Sequence, residues 1–373
     1  MAGGSKSLGS SVLTGAAWIG AGRIGVRLLG VVSTLVLARL LTPEDFALVA
    51  IATAFSAILR HVSELGFNQA LIHFQDAEEA DYATAWTLNI LRGVAVSSIV
   101  AGIAWPAAAF YGDPRLGTLM LVIALLPLLG GLENVRFIKF EKEMEFRPLS
   151  GVMVAVKLLS FVATVAMAIA THSYWALIAG KFVSQISRLG LTFWLAPFKP
   201  RITLASWRKL MGFSGWLVGA NFLQALNLRT DELILQKILT THAVGVFYLA
   251  KDLVRTPIRE VVAPLRRALF PGLSQLSPDS PKFRRAYFGA VAALFMIVAP
   301  VGVGVALVAD EAVPVLLGGQ WQDAVLPMQV FGVQMTIGVL GQVAISAALA
   351  SGNTQFWFRR NLVLLPVRFG LFI

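Results

Sequence analysis

Cysteine is absent from the 373 residues, so disulfides, thiolate metal sites and cysteine nucleophiles are excluded. Charge is scarce as well: Asp, Glu, Lys and Arg make up 14% of the chain, against roughly a quarter in a soluble domain. Acidic residues are the scarcer kind, 20 against 31 basic, for a net charge of +11. No HExxH, GxSxG or P-loop occurs. The four histidines, His61, His73, His172 and His242, show no metal-ligand spacing. Neither a metal, a cofactor nor an enzymatic activity is therefore expected. Long polar stretches are missing too, so no connection could hold a soluble catalytic domain.

What is present is apolar length. Hydrophobic residues are 57% of the chain, and the runs 116–132, 151–170, 286–308 and 325–350 approach or exceed the roughly 20 residues that span hydrocarbon. The first run, 12–41, is too long for the core of a cleaved signal peptide and reads as a retained first helix. The pattern predicts an all-α polytopic membrane protein of about eleven spans. They cover 11–39, 44–65, 82–109, 115–133, 150–170, 174–196, 209–238, 243–271, 284–308, 324–350 and 356–373.

Basic loops alternate with neutral or acidic ones. Arg136, Lys139, Lys142 and Arg147 follow span four, Lys199, Arg201, Arg208 and Lys209 follow span six, and Arg266, Arg267, Lys282, Arg284 and Arg285 follow span eight. By the positive-inside rule these face the cytoplasm, as does the N-terminus. Topology thus accounts for most of the excess charge, and nucleic acid is not expected as a partner. The pairs Glu78/Glu79 and Asp310/Glu311 read as solvated loop faces.

An offset of 198 residues brings the chain into register with itself. Trp18 falls on Trp216, Leu28 on Leu226, Arg39 on Lys237, Leu41-Thr42 on Leu239-Thr240, and Ala70-Leu71 on Ala268-Leu269. The offset covers an even number of spans, which predicts two parallel repeats. They are a six-helix bundle over 1–198 and a shorter bundle of about five helices over 199–373. By that symmetry the chain is expected to stop one helix short or more.

Charges inside the spans need a separate account. In KDLVRTPIRE (251–260), Lys251, Arg255 and Arg259 recur every fourth residue, on one helical face. Facing lipid, each would cost roughly 2.5–3.5 kcal/mol, so a hydrated cavity is the better setting. Asp252 and Glu260 can pair locally with the stripe. Arg23 and Arg27 stand four apart on span one, and Arg60, Arg92, Lys157, Lys181 and Arg188 are further intramembrane bases. A cavity lined by Arg23, Arg27, Arg92, Lys251, Arg255 and Arg259 would be positive and suited to an anion; arginine binds phosphate bidentately. Asp231, Glu232 or Asp252 could couple an ion gradient. Pro257 and Pro264 each remove a helical hydrogen bond and would suit a gating segment.

Several stretches resemble a known family. RLLTPEDFALVA (39–50), ELGFNQALI (64–72) and TAWTLNILRG (84–93) are similar to the opening of Wzx-like polysaccharide transporters, flippases of the multidrug/oligosaccharidyl-lipid/polysaccharide exporter superfamily. DELILQKILTTHAVGVFYLAKDL (231–253), ALFPGLSQL (268–276) and GGQWQDAVLPMQVF (318–331) resemble its second half. The resemblance implies two six-helix bundles around a cationic cavity. It also implies an oligosaccharide substrate carried on undecaprenyl diphosphate and moved across the inner membrane by alternating access. Membrane lipids, a polysaccharide polymerase and export machinery are the partners it suggests. The competing expectations are a multidrug or cation antiporter of the same superfamily and a non-transporting scaffold in polysaccharide assembly. A membrane-embedded polymerase, ligase or glycosyltransferase would need the large loop or domain that this chain lacks.

Overall fold

The computed structural model describes residues 8–63, 67, 71, 77–143, 145–209, 235, 237–274 and 276–350. The expected spans 209–238 and 356–373 therefore lie almost wholly or wholly outside the described residues, as do Trp216, Arg229, Asp231 and Glu232. The side chains of Arg259, Glu260 and Pro264 lie outside them too, although their backbone is helical.

Among the described residues every regular element is helical. They run α1 (Leu8–Leu40), α2 (Pro43–Val62), α3 (Glu79–Tyr111), α4 (Pro114–Ile123) and α5 (Leu125–Gly131), then a 3-10 turn (Val135–Ile138) and α6 (Lys139–Lys142). There follow α7 (Phe146–Thr171), α8 (Trp175–Leu195), α9 (Thr241–Ser274), α10 (Pro281–Leu316), a second 3-10 segment (Gly319–Ala324) and α11 (Val325–Ala350). Among the described residues, five stretches are long and apolar enough to cross a membrane: α3, α4 with α5, α7, α10, and Gly319–Gly341. Large apolar side chains such as Met296, Leu307 and Leu326 point outward, as a lipid-facing surface requires. This is an all-α polytopic membrane protein, as composition predicts.

Local chemistry sets the helix ends. Thr42 opens α2: its backbone N–H and hydroxyl donate to the Asp45 carboxylate, and the Asp45 N–H donates back to the hydroxyl. With Pro43 first in the helix, this is a capping box. Glu78 and Asp81 cap α3 in the same reciprocal way. Gly112, at φ 73°, closes α3 in the left-handed region that glycine enters without penalty. Ser280 accepts from the Phe283 N–H and starts α10, with Pro281 next.

One expected span is refined, and two sequence expectations need correction. The span at 115–133 is two helices, α4 and α5, meeting at Ala124 three residues before Pro127. Asp310 and Glu311 are not in a loop: α10 runs to Leu316, both are exposed, and Asp310 accepts from the Gln329 amide of α11 at 3.2 Å. Glu78 and Glu79 are the cap and first residue of α3 rather than a free loop face.

The chain forms two compact units. The first takes the described residues of Met1–Leu41 and Leu48–Thr230, the second those of Thr42–Ala47 and Asp231–Ile373. The first turn of α2 thus clusters with the second unit, and its remainder with the first. Within the first unit, Leu48, Ile51 and Ala52 of α2 share a core with Val96, Val100, Leu119, Met120 and Ile123. Small residues bring the helix pairs close. Gly22 of α1 abuts Ser150 and Met153 of α7, and Gly30 abuts Lys157, so α1 and α7 run in the same direction. That is what spans one and five of an alternating topology must do. In the second unit, Gly302 of α10 touches Gly332 and Thr336 of α11, a small-residue contact between antiparallel helices.

Candidate functional site: intramembrane cations

The α1–α7 seam gathers cations from both helices. Arg23 and Arg27 are exposed on one face of α1. Lys157 projects from α7 toward Gly30, one turn beyond Arg27, and its ammonium would lie 3.9 Å from a methyl built on that glycine. Arg27 is near enough to act on Lys157 electrostatically. Two like charges held together in apolar surroundings are unfavourable unless an anion or an acid shares them. Arg92 lies half-buried on α3 of the same unit.

In the second unit, Ala250, Val254, Ile258 and Val262 form the buried face of α9. Lys251 is half-buried, with its ammonium 5.7 Å from the centre of the Phe247 ring, which itself meets Phe331 of α11 edge-on. Asp252, Arg255 and Pro257 are exposed. The stripe at 251 and 255 is therefore real as a helix face, one step round from the packed face. Its third member, Arg259, lies outside the described side chains.

Not every intramembrane base belongs to this group. Arg188 of α8 pairs with Glu133 at 3.1 Å, and Gln185 donates to the same carboxylate at 2.7 Å. Asn134, fully enclosed next to Glu133, donates to the carbonyls of Thr192 and Ala196. Arg188 is thus part of a polar clasp between α8 and the turn after α5. Lys157 is the residue that sequence reasoning undervalued, because its neighbour Arg27 is 130 positions away. Of the expected site residues, Arg23, Arg27 and Arg92 lie in the first unit, and Lys251, Asp252, Arg255 and Pro257 in the second.

A second polar assembly fastens the segment before span seven. Thr87 accepts from the Thr203 N–H, Thr84 from the Ser206 N–H, and Lys209 pairs with Asp81 at 2.8 Å. Arg136 pairs with Glu79 on the same turn of α3. This basic segment is thereby pinned to the start of α3.

An all-helical, multi-pass chain with paired helices and intramembrane cations is the architecture of a membrane transporter, and solved structures agree. The lipid II flippase MurJ in an inward closed conformation superposes with a TM-score of 0.68 at 12% identity, over 90% of this chain and 76% of that one. An inward-facing multidrug resistance MATE transporter of the MOP superfamily gives 0.66 at 16% identity, over 91% and 83%. The fold is therefore that of this superfamily. The chain itself belongs to the polysaccharide biosynthesis protein family, whose model matches residues 36–326.

Similar curated proteins carry the same theme. Lipopolysaccharide biosynthesis protein WzxC of Escherichia coli (strain K12) is 23% identical over 370 residues, 95% of this chain and 73% of that protein. Succinoglycan biosynthesis transport protein ExoT of Rhizobium meliloti (strain 1021) is 26% identical over 293 residues, 78% of this chain and 59% of that protein. The resemblance to Wzx-like transporters read from the sequence motifs is borne out.

Proposed function

We propose that this protein is a flippase for lipid-linked oligosaccharide, moving undecaprenyl-diphosphate-borne repeat units across the cytoplasmic membrane for surface polysaccharide assembly. The diphosphate is the part of such a lipid that an apolar bundle cannot carry uncompensated. Arg23, Arg27, Arg92, Lys251, Arg255 and Arg259 would neutralise it in a cationic cavity opened to each side in turn. The observation that carries this reading is the placing of Arg23, Arg27 and Lys157 along the α1–α7 seam, where a phosphate could bridge cations of both helices. The names of WzxC and ExoT, and the MurJ fold, point the same way. Asp252, and Asp231 or Glu232, would serve ion coupling, and Pro257 and Pro264 the moving segment. The N-terminus and the basic loops would be cytoplasmic, with polymerase and export proteins as neighbours in the same assembly line.

The test is complementation of a strain deleted for its own flippase, with the full-length gene and variants at Arg27, Lys157 and Arg255. Each alanine variant removes a charge-assisted contact of about 1.5–3 kcal/mol, so flipping should fall on the order of ten- to a hundredfold. Lipid-linked oligosaccharide should accumulate while the protein level stays near wild type. Lysine at 27 or 255 should restore part of the activity, since charge survives but the bidentate fork does not. Normal surface polysaccharide in all three alanine variants would refute the cationic site.

A further inference from the structure

The second unit carries a histidine held between two acids. Nδ1 of His242 lies 2.8 Å from Oε1 of Glu44, and Nε2 lies 3.1 Å from Oδ2 of Asp323. The three residues come from the first turn of α2, the first turn of α9 and the 3-10 segment before α11. A neutral imidazole has one N–H and can donate to one carboxylate only, whereas an imidazolium donates to both. The geometry is thus complete only with an added proton.

Beneath this polar rim is an apolar seat. Trp321, fully buried, meets the Phe46 ring edge-on at 5.3 Å. Ala47, Leu235 and Val244 are buried together, with Phe247 against them. The α9 backbone approaches Pro43 so closely that a Cβ at position 245 would overlap the Pro43 carbonyl, which only glycine avoids.

The sequence repeat adds an independent reason to single out this contact. Glu44 and His242 are 198 residues apart, the register of the repeat, so they are equivalent positions. Thr42 and Thr240 are equivalent too, and each hydroxyl caps its helix by accepting from the N–H three residues on, of Asp45 and of Ala243. Equivalent positions that touch would repel if they kept the same charge. Here one copy is an acid and the other a base whose charge depends on pH.

We propose that His242 is a proton-binding latch: its imidazolium ties the first turn of α2 to α9 and to the 3-10 segment, and loss of the proton loosens that seat. The hydrogen bond to Glu44 is the main influence raising the His242 pKa above its ordinary 6.5, Asp323 acts in the same direction, and partial burial opposes them. A raised pKa means that the stabilisation is complete below about 6.5 and is lost as pH climbs through the elevated value. On the neighbouring elements the charged groups also include Asp45, engaged with Thr42, Asp310, engaged with Gln329, Glu311, and the bases Arg39, three residues before Thr42, and Lys237, two residues after Leu235, with Lys251 and Asp252 further along α9. The His242, Glu44 and Asp323 side chains are 39%, 41% and 76% exposed, so water screens each pair and the latch biases an equilibrium without locking it. On the topology proposed above, these turns face outward, so the latch would read the pH outside the membrane; only that last point rests on the functional reading.

Hydrogen–deuterium exchange of the full chain in lipid nanodiscs tests this without any transport assay, so it can fail or succeed independently of the flippase reading. At pH 6, peptides covering 42–50 should exchange about fivefold faster in His242→Gln than in the wild type, as expected for two exposed pairs. By pH 9 the two should converge, while peptides from α7 stay unchanged at both values. The exposed Asp323→Asn keeps the ring and should move the pH of convergence downward. Equal exchange at pH 6, a difference that persists at pH 9, or a convergence point unmoved by Asp323→Asn would each overturn the latch.

Discussion

Asp81 is where a single atom change should separate the fastening of the 201–209 segment from the rest of the fold. Its side chain is 5% exposed, that of Lys209 is 37% exposed, and the two meet at 2.8 Å. The same carboxylate accepts the Glu78 N–H at 3.2 Å and so completes the cap of α3. At that separation the Coulomb energy would be roughly 6 kcal/mol at an effective dielectric of 20, before desolvation and the entropy of the lysine are subtracted. What survives in a charge-assisted bond is about 1.5–3 kcal/mol. The cap adds about 1 kcal/mol. Asp81→Ala should therefore destabilise by about 3 kcal/mol, while Asp81→Asn keeps the cap acceptor and should lose about 2 kcal/mol. Lys209→Met alone leaves a nearly buried carboxylate unpaired and should cost as much as Asp81→Asn. Unfolding in mixed micelles titrated with SDS would give the four free energies of the cycle. The double variant Asp81→Asn/Lys209→Met should be less damaged than the sum of its parts by on the order of 2 kcal/mol. Strict additivity would show that the pair contributes nothing and that the segment is held by Thr84 and Thr87 alone.

Three further outcomes are expected. Lys157→Met should abolish most flipping yet raise the melting temperature slightly, because it relieves the repulsion with Arg27; a drop in both would mark Lys157 as structural. Reporters fused after Arg201 and after Gly318, in the turn that ends α10, should lie on opposite faces of the membrane, the first cytoplasmic by loop charge. Gly302→Ala should reduce the amount of folded protein, by overpacking worth about 1–3 kcal/mol, since the added methyl meets the Thr336 hydroxyl and the Gly332 carbonyl; Gly304→Ala, with open space around it, should not.

Much of the fold is written locally. Apolar runs reveal spans because the bilayer demands a fixed length of them, and Thr42-Pro43, Asp113-Pro114 and Ser280-Pro281 reveal helix starts because caps use few residue types. Where a charge occurs near a helix end, the same reasoning misleads. Asp310 and Glu311 look like a loop, yet α10 continues past them, because its C-terminal end can present carboxylates to Gln329 and to water. The break at Ala124 leaves no compositional trace either, since Pro127 is compatible with a continuous membrane helix.

The candidate site is legible only in part, because its residues are joined by distance in space and not in sequence. The stripe of Lys251 and Arg255 could be read from helical periodicity alone. Arg188, like Lys157, is a base within an apolar helix, yet Glu133 answers its charge, while Lys157 is turned to Gly30. No local pattern separates them; helix packing does. The 198-residue offset proposed as a repeat has one consequence beyond the matched residues. It pairs position 44 with position 242, and those two side chains are in contact. On the duplication proposed from the 198-residue offset, a contact between equivalent positions would begin as like meeting like, and a charge there would be favoured to diverge between the copies. Glutamate opposite histidine is such a divergence. It makes the full set of hydrogen bonds conditional on a proton.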